Sequence, residues 1–203
     1  MDQAITIPIC YMKEMHQIQL LQHRLITNGD SGAFRQLFLM LAASLRHFAF
    51  TIVHSREQAE EIVEDVFINL WQSREKMGTV KNLRMYLYVA TKNTSLNYLR
   101  KKTGQPHHEV IDYAHVEIAA SDPNPEQILI SSEMRRRIDE VVQQLPPKCK
   151  LIFKMAKEDR LRYREIAQIL NITVKTIDNQ LAIALKKISE AINFSQTTVS
   201  HKK

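Results

Sequence analysis

Glycine and proline are scarce in this chain of 203 residues, which has four of the first and six of the second. A fold made of many short strands needs more of these residues at its turns, so the composition argues against an all-β protein. Runs of Leu, Ile, Ala, Glu, Lys and Arg favour helices instead. Cysteine is scarcer still: Cys10 and Cys149 lie far apart and match neither a metal-binding nor a redox spacing. We therefore predict an all-α protein whose two thiols stay reduced.

Long hydrophobic runs are also missing. No window approaches the roughly 18 uninterrupted apolar residues that a membrane helix needs. The start of the chain, MDQAITIPICYMKEM, has no basic region followed by a long apolar core, so it is a poor signal peptide. We expect a cytoplasmic protein with no segment inserted in a membrane.

Local signatures of catalysis are absent as well. The sequence has neither a Gly-rich phosphate loop nor a local nucleophile motif. His107, His108 and His115 lie in the least patterned segment, with no cysteine and no closely spaced set of carboxylates to complete a metal site, and are more simply solvated histidines. We therefore predict no enzyme activity, no metal and no cofactor. The net charge of +6 instead suits a polyanionic partner such as nucleic acid.

Helical periodicity divides the chain into two blocks. We expect an N-terminal extension over residues 1–17, a helical domain over 18–102, a flexible linker over 103–125, a second helical domain over 126–192 and a tail over 193–203. Asp30 or Ser31 can cap one helix of the first domain, and Ser55 with Gln58 forms a capping-box pair that opens the next. The polar residues 72–81 then interrupt the helical pattern. The predicted fold is two small helical domains joined by a linker.

Residues 163–188, YREIAQILNITVKTIDNQLAIALKKI, have the pattern of two short helices around a tight turn. The residues expected to be buried recur at helical spacing: Ile166, Ala167, Leu170, Ile177, Leu181 and Leu185. Asn171 occupies the turn position that needs a left-handed backbone, and Thr173 can cap the second helix. The polar side chains of the second helix suit base edges and phosphates: Lys175, Thr176, Asp178, Asn179 and Gln180. The pattern predicts a DNA-binding helix-turn-helix, although an ordinary helical hairpin in a core can have the same pattern.

Residues 59–71, AEEIVEDVFINLW, form an amphipathic segment with an acidic face inside a basic protein. The acidic side chains of this face are Glu57, Glu60, Glu61, Glu64 and Asp65. A solvated helix face explains them as well, since acids near a helix N-terminus are favoured by the helix dipole. The alternative is a docking surface for a basic partner, because such a face repels DNA.

Cationic residues populate the loop and helix that follow: Lys76, Lys81, Arg84, Lys92, Arg100, Lys101 and Lys102. Three tyrosines lie between them, at positions 86, 88 and 98. Rings that stack on bases and cations that follow phosphates suit single-stranded nucleic acid, although at least one tyrosine is expected in the core. Asn93 and Asn97 are one turn apart and are expected on the same side as Arg100 and Lys101.

In this order, the motifs resemble those of the extracytoplasmic-function sigma factors, the small two-domain initiation factors of bacterial RNA polymerase. The resemblance runs from Leu20 to Ile188. LLQHRLITNGDSGAFRQLF resembles the opening helix pair of the family, and AEEIVEDVFINLW resembles its polymerase-docking helix. YLYVATKNTSLNYLRKK is similar to the helix that melts the promoter and reads the minus-ten element. LPPKCKLIFKMAKEDRLRYREIAQIL and the NITVKTIDNQLAIALKKI that follows it resemble the C-terminal domain.

The resemblance implies that the chain binds core RNA polymerase and promoter DNA and opens the DNA strands. The implied polymerase-binding residues are Glu61, Glu64, Asp65, Phe67, Leu70 and Trp71. The implied minus-ten residues are Lys76, Lys81, Lys92, Asn93, Asn97, Arg100 and Lys101. The implied minus-thirty-five residues are Thr173, Lys175, Thr176, Asn179 and Gln180, with Lys186 and Lys187 on phosphates. The loop 73–81 is expected to border a pocket for a flipped base, and an anti-sigma factor anchored in the membrane is an expected partner.

Two single positions and one turn depart from the family pattern, and they put the promoter sequence in doubt rather than the family. Asn171 replaces the common Gly, and Gln180 stands where many members have Arg. The turn before the helix-turn-helix, residues 157–160, is more charged than the usual short turn of apolar residues and Gly.

Two other functions remain open at this point. A response-regulator-type activator can end in a similar helix-turn-helix, but it requires an N-terminal domain with parallel strands. A helical enzyme or signalling adaptor requires a polar constellation in the core.

Overall fold

The computed structural model describes residues 9–103 and 132–199, with side chains described over 13–102 and 136–192. The chain divides into an N-terminal unit, Met1–Val110, and a C-terminal unit, Ile111–Lys203. Every secondary-structure element in the described ranges is a helix, which confirms the all-α prediction. Except for Thr103, the predicted linker and its three histidines lie outside the described residues.

The N-terminal unit is built around one apolar helix. Its elements are α1 (Ile9–Asn28), α2 (Ser31–Val53), α3 (Arg56–Gln72), a 3-10 helix (Arg74–Thr79) and α4 (Leu83–Thr103). α2 packs against α1, α3 and α4, and its buried side chains are apolar except for Thr51. Each large apolar side chain buried in this way stabilises the fold by about 1.5–3 kcal/mol. α2 therefore sets the positions of the helices on either side of it.

α2 is also long and apolar enough to cross a membrane, with a mean hydropathy of 1.5 over its most apolar window. However, 50% of that window is buried inside the unit. The buried side chains of α2 pack against α1, α3 and α4, while Leu39 is 67% exposed. Its apolar composition is therefore that of a core helix of the unit.

The turn between α1 and α2 is held by a capped helix start. Asp30 caps α2: its Oδ1 accepts a hydrogen bond from the backbone N–H of Ala33 at 3.0 Å, as the sequence predicted. Its Oδ2 accepts hydrogen bonds from Arg24, from Nε at 2.9 Å and from Nη2 at 2.6 Å. The Ala33 amide and the Arg24 guanidinium hold the pKa of the Asp30 carboxyl below its usual range. Gly29, with φ of 58°, supplies the left-handed residue that ends α1.

The predicted capping box at the start of α3 is half formed. Ser55 caps the helix, and its Oγ accepts a hydrogen bond from the backbone N–H of Gln58 at 3.4 Å. The side-chain Oε1 of Gln58 is buried and has no hydrogen-bond partner among the described residues. The reciprocal bond that completes a capping box is therefore missing.

Both ends of the chain are more helical than the predicted boundaries imply. Residues 9–17, expected in an N-terminal extension, form the first part of α1, and Glu14 lies 2.5 Å from Arg84 of α4 in an ion pair. Residues 193–199, expected in the tail, continue the last helix of the chain.

The C-terminal unit contains α5 (Ser132–Gln143), α6 (Pro147–Lys157), α7 (Tyr163–Leu170) and α8 (Val174–Val199). Pro146 and Pro147 separate α5 from α6. Pro147 lies in the first turn of α6, where a proline is tolerated. α8 packs against α5, α6 and α7. One cluster of its core comprises Val142, Leu145, Cys149 and Ala184, with Ile138, Phe153 and Ile188 packed against it.

Two turns of the C-terminal unit require a left-handed backbone. Asn171 ends α7 with φ of 53° and ψ of 48°, as the sequence predicted. Arg160, in the charged turn between α6 and α7, has φ of 54°. Arg is much less suited to this conformation than Gly or Asn, so the turn that departs from the family pattern also carries backbone strain.

Replacing Arg160 with Gly should therefore stabilise the C-terminal unit. We expect Arg160→Gly to raise the free energy of unfolding by about 1 kcal/mol, since Gly adopts positive φ without a steric penalty. Gln168→Gly, at an exposed position inside α7, is the matched control and should lower it by about 1 kcal/mol. Urea denaturation followed by circular dichroism measures both, and a loss of stability in Arg160→Gly would contradict the strain at this turn.

Candidate functional site

The acidic face of α3 is exposed to solvent. Glu61, Glu64 and Asp65 are all exposed, and within the described ranges none of them has an ion-pair partner. Their neighbour Glu60 differs, because its Oε1 lies 3.6 Å from Nη1 of Arg46 on α2. The three carboxylates are thus available to cationic groups of another molecule.

Two of the implied polymerase-binding residues lie in the core instead. Phe67 is 2% exposed and Leu70 is 1% exposed. The Phe67 ring packs edge-on against Phe34, with centroids 5.9 Å apart, and against Phe38, with centroids 4.9 Å apart. The burial of both side chains shows that they fasten α3 to the inside of the unit and offer no surface to a partner.

Trp71 and Ile68 provide the apolar part of the surface. Trp71 is half-buried; its ring packs against Phe34 at a centroid distance of 5.1 Å and lies beneath the guanidinium of Arg74 at 4.9 Å. Ile68 is 51% exposed and follows Glu61 and Asp65 on one face of α3, at spacings of seven and three residues. Ile68 was not among the predicted site residues, although a helical projection of the sequence places this apolar residue on the acidic face.

The loop between α3 and α4 presents cations at its surface. Lys76 and Lys81 are exposed, whereas Met77 between them is buried. Most of the segment is a 3-10 helix, Arg74–Thr79, rather than an irregular loop. The side chains of residues 74–79 therefore project from a regular helical backbone.

On α4, the implied minus-ten residues separate into exposed and buried groups. Asn93, Asn97, Arg100 and Lys101 are exposed, and Nη1 of Arg100 donates a hydrogen bond to Oδ1 of Asn97 at 3.3 Å. Lys92 is buried, at 9% exposure, so it does not belong to the exposed set.

Two more residues of the basic, tyrosine-containing stretch are buried. Arg84 is paired with Glu14, and Tyr88, at 1% exposure, packs against Phe48 with centroids 5.2 Å apart. Tyr86 and Tyr98 are half-buried. The expectation that at least one tyrosine lies in the core is confirmed.

A shallow groove between α3 and α4 joins the acidic and the cationic faces. The residues that line it are Glu61, Ile62, Asp65, Thr94, Asn97, Tyr98 and Lys101. Carboxylates stand on its α3 wall, and an amide, a phenol and an ammonium stand on its α4 wall. Two surfaces of opposite character thus meet along one edge of the N-terminal unit.

The helix-turn-helix prediction is confirmed in its local geometry. Oγ1 of Thr173 accepts a hydrogen bond from the backbone N–H of Thr176 at 3.1 Å and caps α8. The hydroxyls of Thr173 and Thr176 also form a hydrogen bond at 2.9 Å. Ile166, Leu170, Ile177 and Leu181 are buried as expected, together with Ala167. Both threonine side chains therefore take part in hydrogen bonds at the first turn of α8. Thr173 is nevertheless exposed to solvent.

Not all of the implied minus-thirty-five residues on α8 are fully exposed. Lys175, Asn179 and Lys186 are exposed and recur at spacings of four and seven residues, which places them along one stripe. Lys187 is exposed beside the stripe, and Thr176 and Gln180 are half-buried. Nζ of Lys186 lies 4.0 Å from Oε1 of Glu190, an exposed pair that contributes little to stability.

The prediction that Leu185 is buried is wrong. Leu185 is 49% exposed, and its neighbour Ala184 is fully buried. Ala184 belongs to the same core cluster as Cys149, where α6 and α8 approach closely and a small side chain fits. Ile169, which the expected pattern left out, is also fully buried.

The Cys149 thiol connects α6 to the first part of α8. Sγ of Cys149 donates a hydrogen bond to the backbone carbonyl of Gln180 at 3.1 Å. Burial raises the pKa of the Cys149 thiol, an effect that the nearby Lys187 ammonium opposes. The thiol therefore stays protonated and able to donate. Because it is the backbone of Gln180 that accepts, its side chain remains available on the half-buried edge of α8.

Comparison with known proteins agrees with both units. The family model for Sigma-70 region 2 matches residues 37–105, and the model for Sigma-70, region 4 matches residues 135–200. The chain is 24% identical over 187 residues to the ECF RNA polymerase sigma-E factor of Escherichia coli (strain K12), covering 89% of this chain and 97% of that protein. It is 22% identical over 187 residues to the RNA polymerase sigma-H factor of Pseudomonas aeruginosa, with coverage of 89% and 96%.

Among solved structures, one similar chain is the sigma factor RpoE of Bartonella quintana, crystallised with the anti-sigma factor NepR. The TM-score is 0.47 at 20% sequence identity, covering 79% of this chain and 96% of that one.

Adjacent residues of α3 allow the core and surface roles to be separated. We expect Phe67→Ala to lower the free energy of unfolding by about 3–5 kcal/mol, because it leaves a cavity between α3 and the Phe34 and Phe38 rings of α2. Ile68→Ala is the matched control and should change it by no more than about 0.5 kcal/mol, since that side chain is half exposed. Thermal and urea denaturation measure the difference; equal effects of the two substitutions would show that Phe67 is not a core residue.

Proposed function

Because the chain belongs to the extracytoplasmic-function (ECF) family of RNA polymerase sigma factors, we propose that it binds core bacterial RNA polymerase in the cytoplasm and directs initiation at its own promoters. In this role it also opens the DNA strands. The families that match are those of transcription initiation factors, and the polymerase supplies the chemistry.

The observation that carries the proposal is the meeting of two surfaces of opposite charge on the N-terminal unit. The α3 face, with Glu61, Glu64 and Asp65, repels DNA phosphates and suits a cationic protein surface. The exposed Ile68 adds an apolar contact of the kind that anchors protein interfaces. We assign this face to core polymerase.

The cationic side of the same unit suits DNA that is being opened. The exposed candidates are Lys76, Lys81, Asn93, Asn97, Arg100 and Lys101. Lysine and arginine follow phosphates, and the two asparagines can hydrogen-bond to base edges. Asp65 and Lys101 line the same groove, which supports the proposal that polymerase and start-proximal DNA bind next to each other. We propose that this side binds the minus-ten element and its non-template strand.

The C-terminal unit provides a second DNA contact. The exposed stripe of Lys175, Asn179 and Lys186 lies on the second helix of a helix-turn-helix, the helix that enters a major groove. We propose that Lys175 and Asn179 contact bases of the minus-thirty-five element, with Thr173, Thr176 and Gln180 at the edges. Lys186 and Lys187 bind phosphates.

The rival function as a response-regulator-type activator is not favoured. It requires parallel strands in the N-terminal domain, and residues 9–103 are described as helices separated by short turns. An anti-sigma factor remains a proposed partner; the solved relative bound to NepR shows such a partner for that protein.

Charge reversal separates the two kinds of surface. We expect Glu61→Lys with Asp65→Lys to weaken binding to core polymerase by about 10–100-fold, because like charges then face each other. Asp139→Lys with Glu140→Lys, on exposed positions of α5, makes the same change in net charge and should leave the affinity unchanged. Fluorescence anisotropy with labelled protein and purified core polymerase measures the affinity of both variants and of the unmodified chain.

The complementary change acts on the helix-turn-helix. Lys175→Ala with Asn179→Ala should lower promoter-dependent run-off transcription by about 10–100-fold, because each lost base or phosphate contact costs about 1–3 kcal/mol. Its affinity for core polymerase should equal that of the unmodified chain. If the α3 reversal impaired only promoter use and the α8 variant impaired only polymerase binding, the assignment of both units would be wrong.

A further inference from the structure

The 73–81 loop is tied along its length to α1, a helix that the proposed function does not use. Nε2 of Gln22 donates hydrogen bonds to the backbone carbonyl of Met77 at 3.3 Å and to that of Val80 at 2.8 Å. Gln22 is 7% exposed, and 55 to 58 residues of chain separate it from these acceptors. A buried side-chain amide that bridges two carbonyls of one loop fixes the backbone between them.

Further contacts hold the two ends of the loop. At its start, Arg74 stacks on Trp71 of α3 and donates a hydrogen bond to the Trp71 carbonyl at 2.9 Å. The same Arg74 lies against the turn that ends α1, where a Cβ at Gly29 would stand 3.7 Å from its Nε. Beyond the loop, Glu14 of α1 pairs with Arg84 in the first turn of α4.

The loop is thus buried on one side and open on the other. Met77 is 7% exposed and points inward beside the Gln22 bonds, whereas Lys76, Gly78, Thr79 and Lys81 are exposed. Gln22 binds the loop through its backbone carbonyls, so the exposed side chains remain available to another molecule. Holding a recognition segment in its binding conformation before binding raises affinity and sharpens discrimination.

We propose that α1 holds the 73–81 loop in the conformation that reads start-proximal DNA, with Gln22 as its positioning residue. Gln22 itself does not contact DNA. This inference rests on the proposed function, because it assigns to the loop the discrimination between bases of the minus-ten element. The segment 9–17 has a part in the same task through Glu14.

The test uses the full chain with two variants. Gln22→Met keeps the length and helix preference of the side chain and removes both donated hydrogen bonds. Gln19→Met, at an exposed position of the same helix, is the matched control. Thermal denaturation first confirms that both variants fold, since methionine is an apolar residue suited to the buried site.

Hydrogen exchange of the free protein tests the attachment without polymerase. Amides of residues 74–81 should exchange about five- to thirtyfold faster in Gln22→Met, which corresponds to one or two lost hydrogen bonds. In Gln22→Met, the amides of α2 should exchange as in the unmodified chain. In Gln19→Met, the amides of residues 74–81 should also exchange at the unmodified rate. Unchanged exchange in the loop of Gln22→Met overturns the proposal by itself.

Transcription with core polymerase tests the consequence. Initiation is measured on a selected promoter and on versions with single changes in the minus-ten or the minus-thirty-five element. Gln22→Met should discriminate minus-ten changes about fivefold less well, while discrimination at the minus-thirty-five element and affinity for core polymerase stay the same.

Three outcomes separate this inference from the proposed function. Reduced minus-ten discrimination alone supports the inference. An unmodified chain that initiates, together with a Gln22→Met variant of the same selectivity, overturns the inference and leaves the proposed function intact. An unmodified chain that supports no initiation overturns the proposed function, and the recognition role of the loop with it.

Discussion

Burial of α2 is the constraint on which the rest of the N-terminal unit depends. This helix is apolar along most of its length and packs against α1, α3 and α4. Phe67 and Leu70 fasten α3 from the inside, and Tyr88 packs on Phe48 to fasten α4. Because both helices are attached through their apolar sides, their polar faces are left to solvent next to each other. The groove between Asp65 and Lys101 is a consequence of that packing.

That arrangement gives a small unit an acidic surface and a cationic surface side by side, which the proposed function assigns to a protein and to DNA. Charges of one sign on a single face give a partner of the opposite sign a defined place to bind. In the proposed function, a protein bound to α3 lies beside the cations of α4, so the position of the DNA is coupled to the position of that protein. The C-terminal unit adds α8, whose buried side packs against the unit and whose stripe of Lys175, Asn179 and Lys186 is exposed to solvent.

Features set by neighbouring residues were predictable from the sequence. Asp30, Asn171 and Thr173 each act within one turn of a helix, so their residue types are sufficient to predict a cap or a left-handed turn. Burial is a property of the assembled unit and was harder to predict. Lys92 and Phe67 lie in segments expected to be functional, yet both are buried, and Ala184 rather than Leu185 fits where α6 approaches α8. The bonds from Gln22 to the 73–81 loop span more than fifty residues and leave no local pattern at either end.

We propose that one chain joins core polymerase to two separate DNA elements. Selection from a randomised promoter library, transcribed by core polymerase with this chain, tests it most directly. The expected result is enrichment of two sequence blocks at a fixed spacing, one upstream and one adjoining the melted region. No enrichment, or a single block whose position relative to the transcript start varies, would contradict the claim.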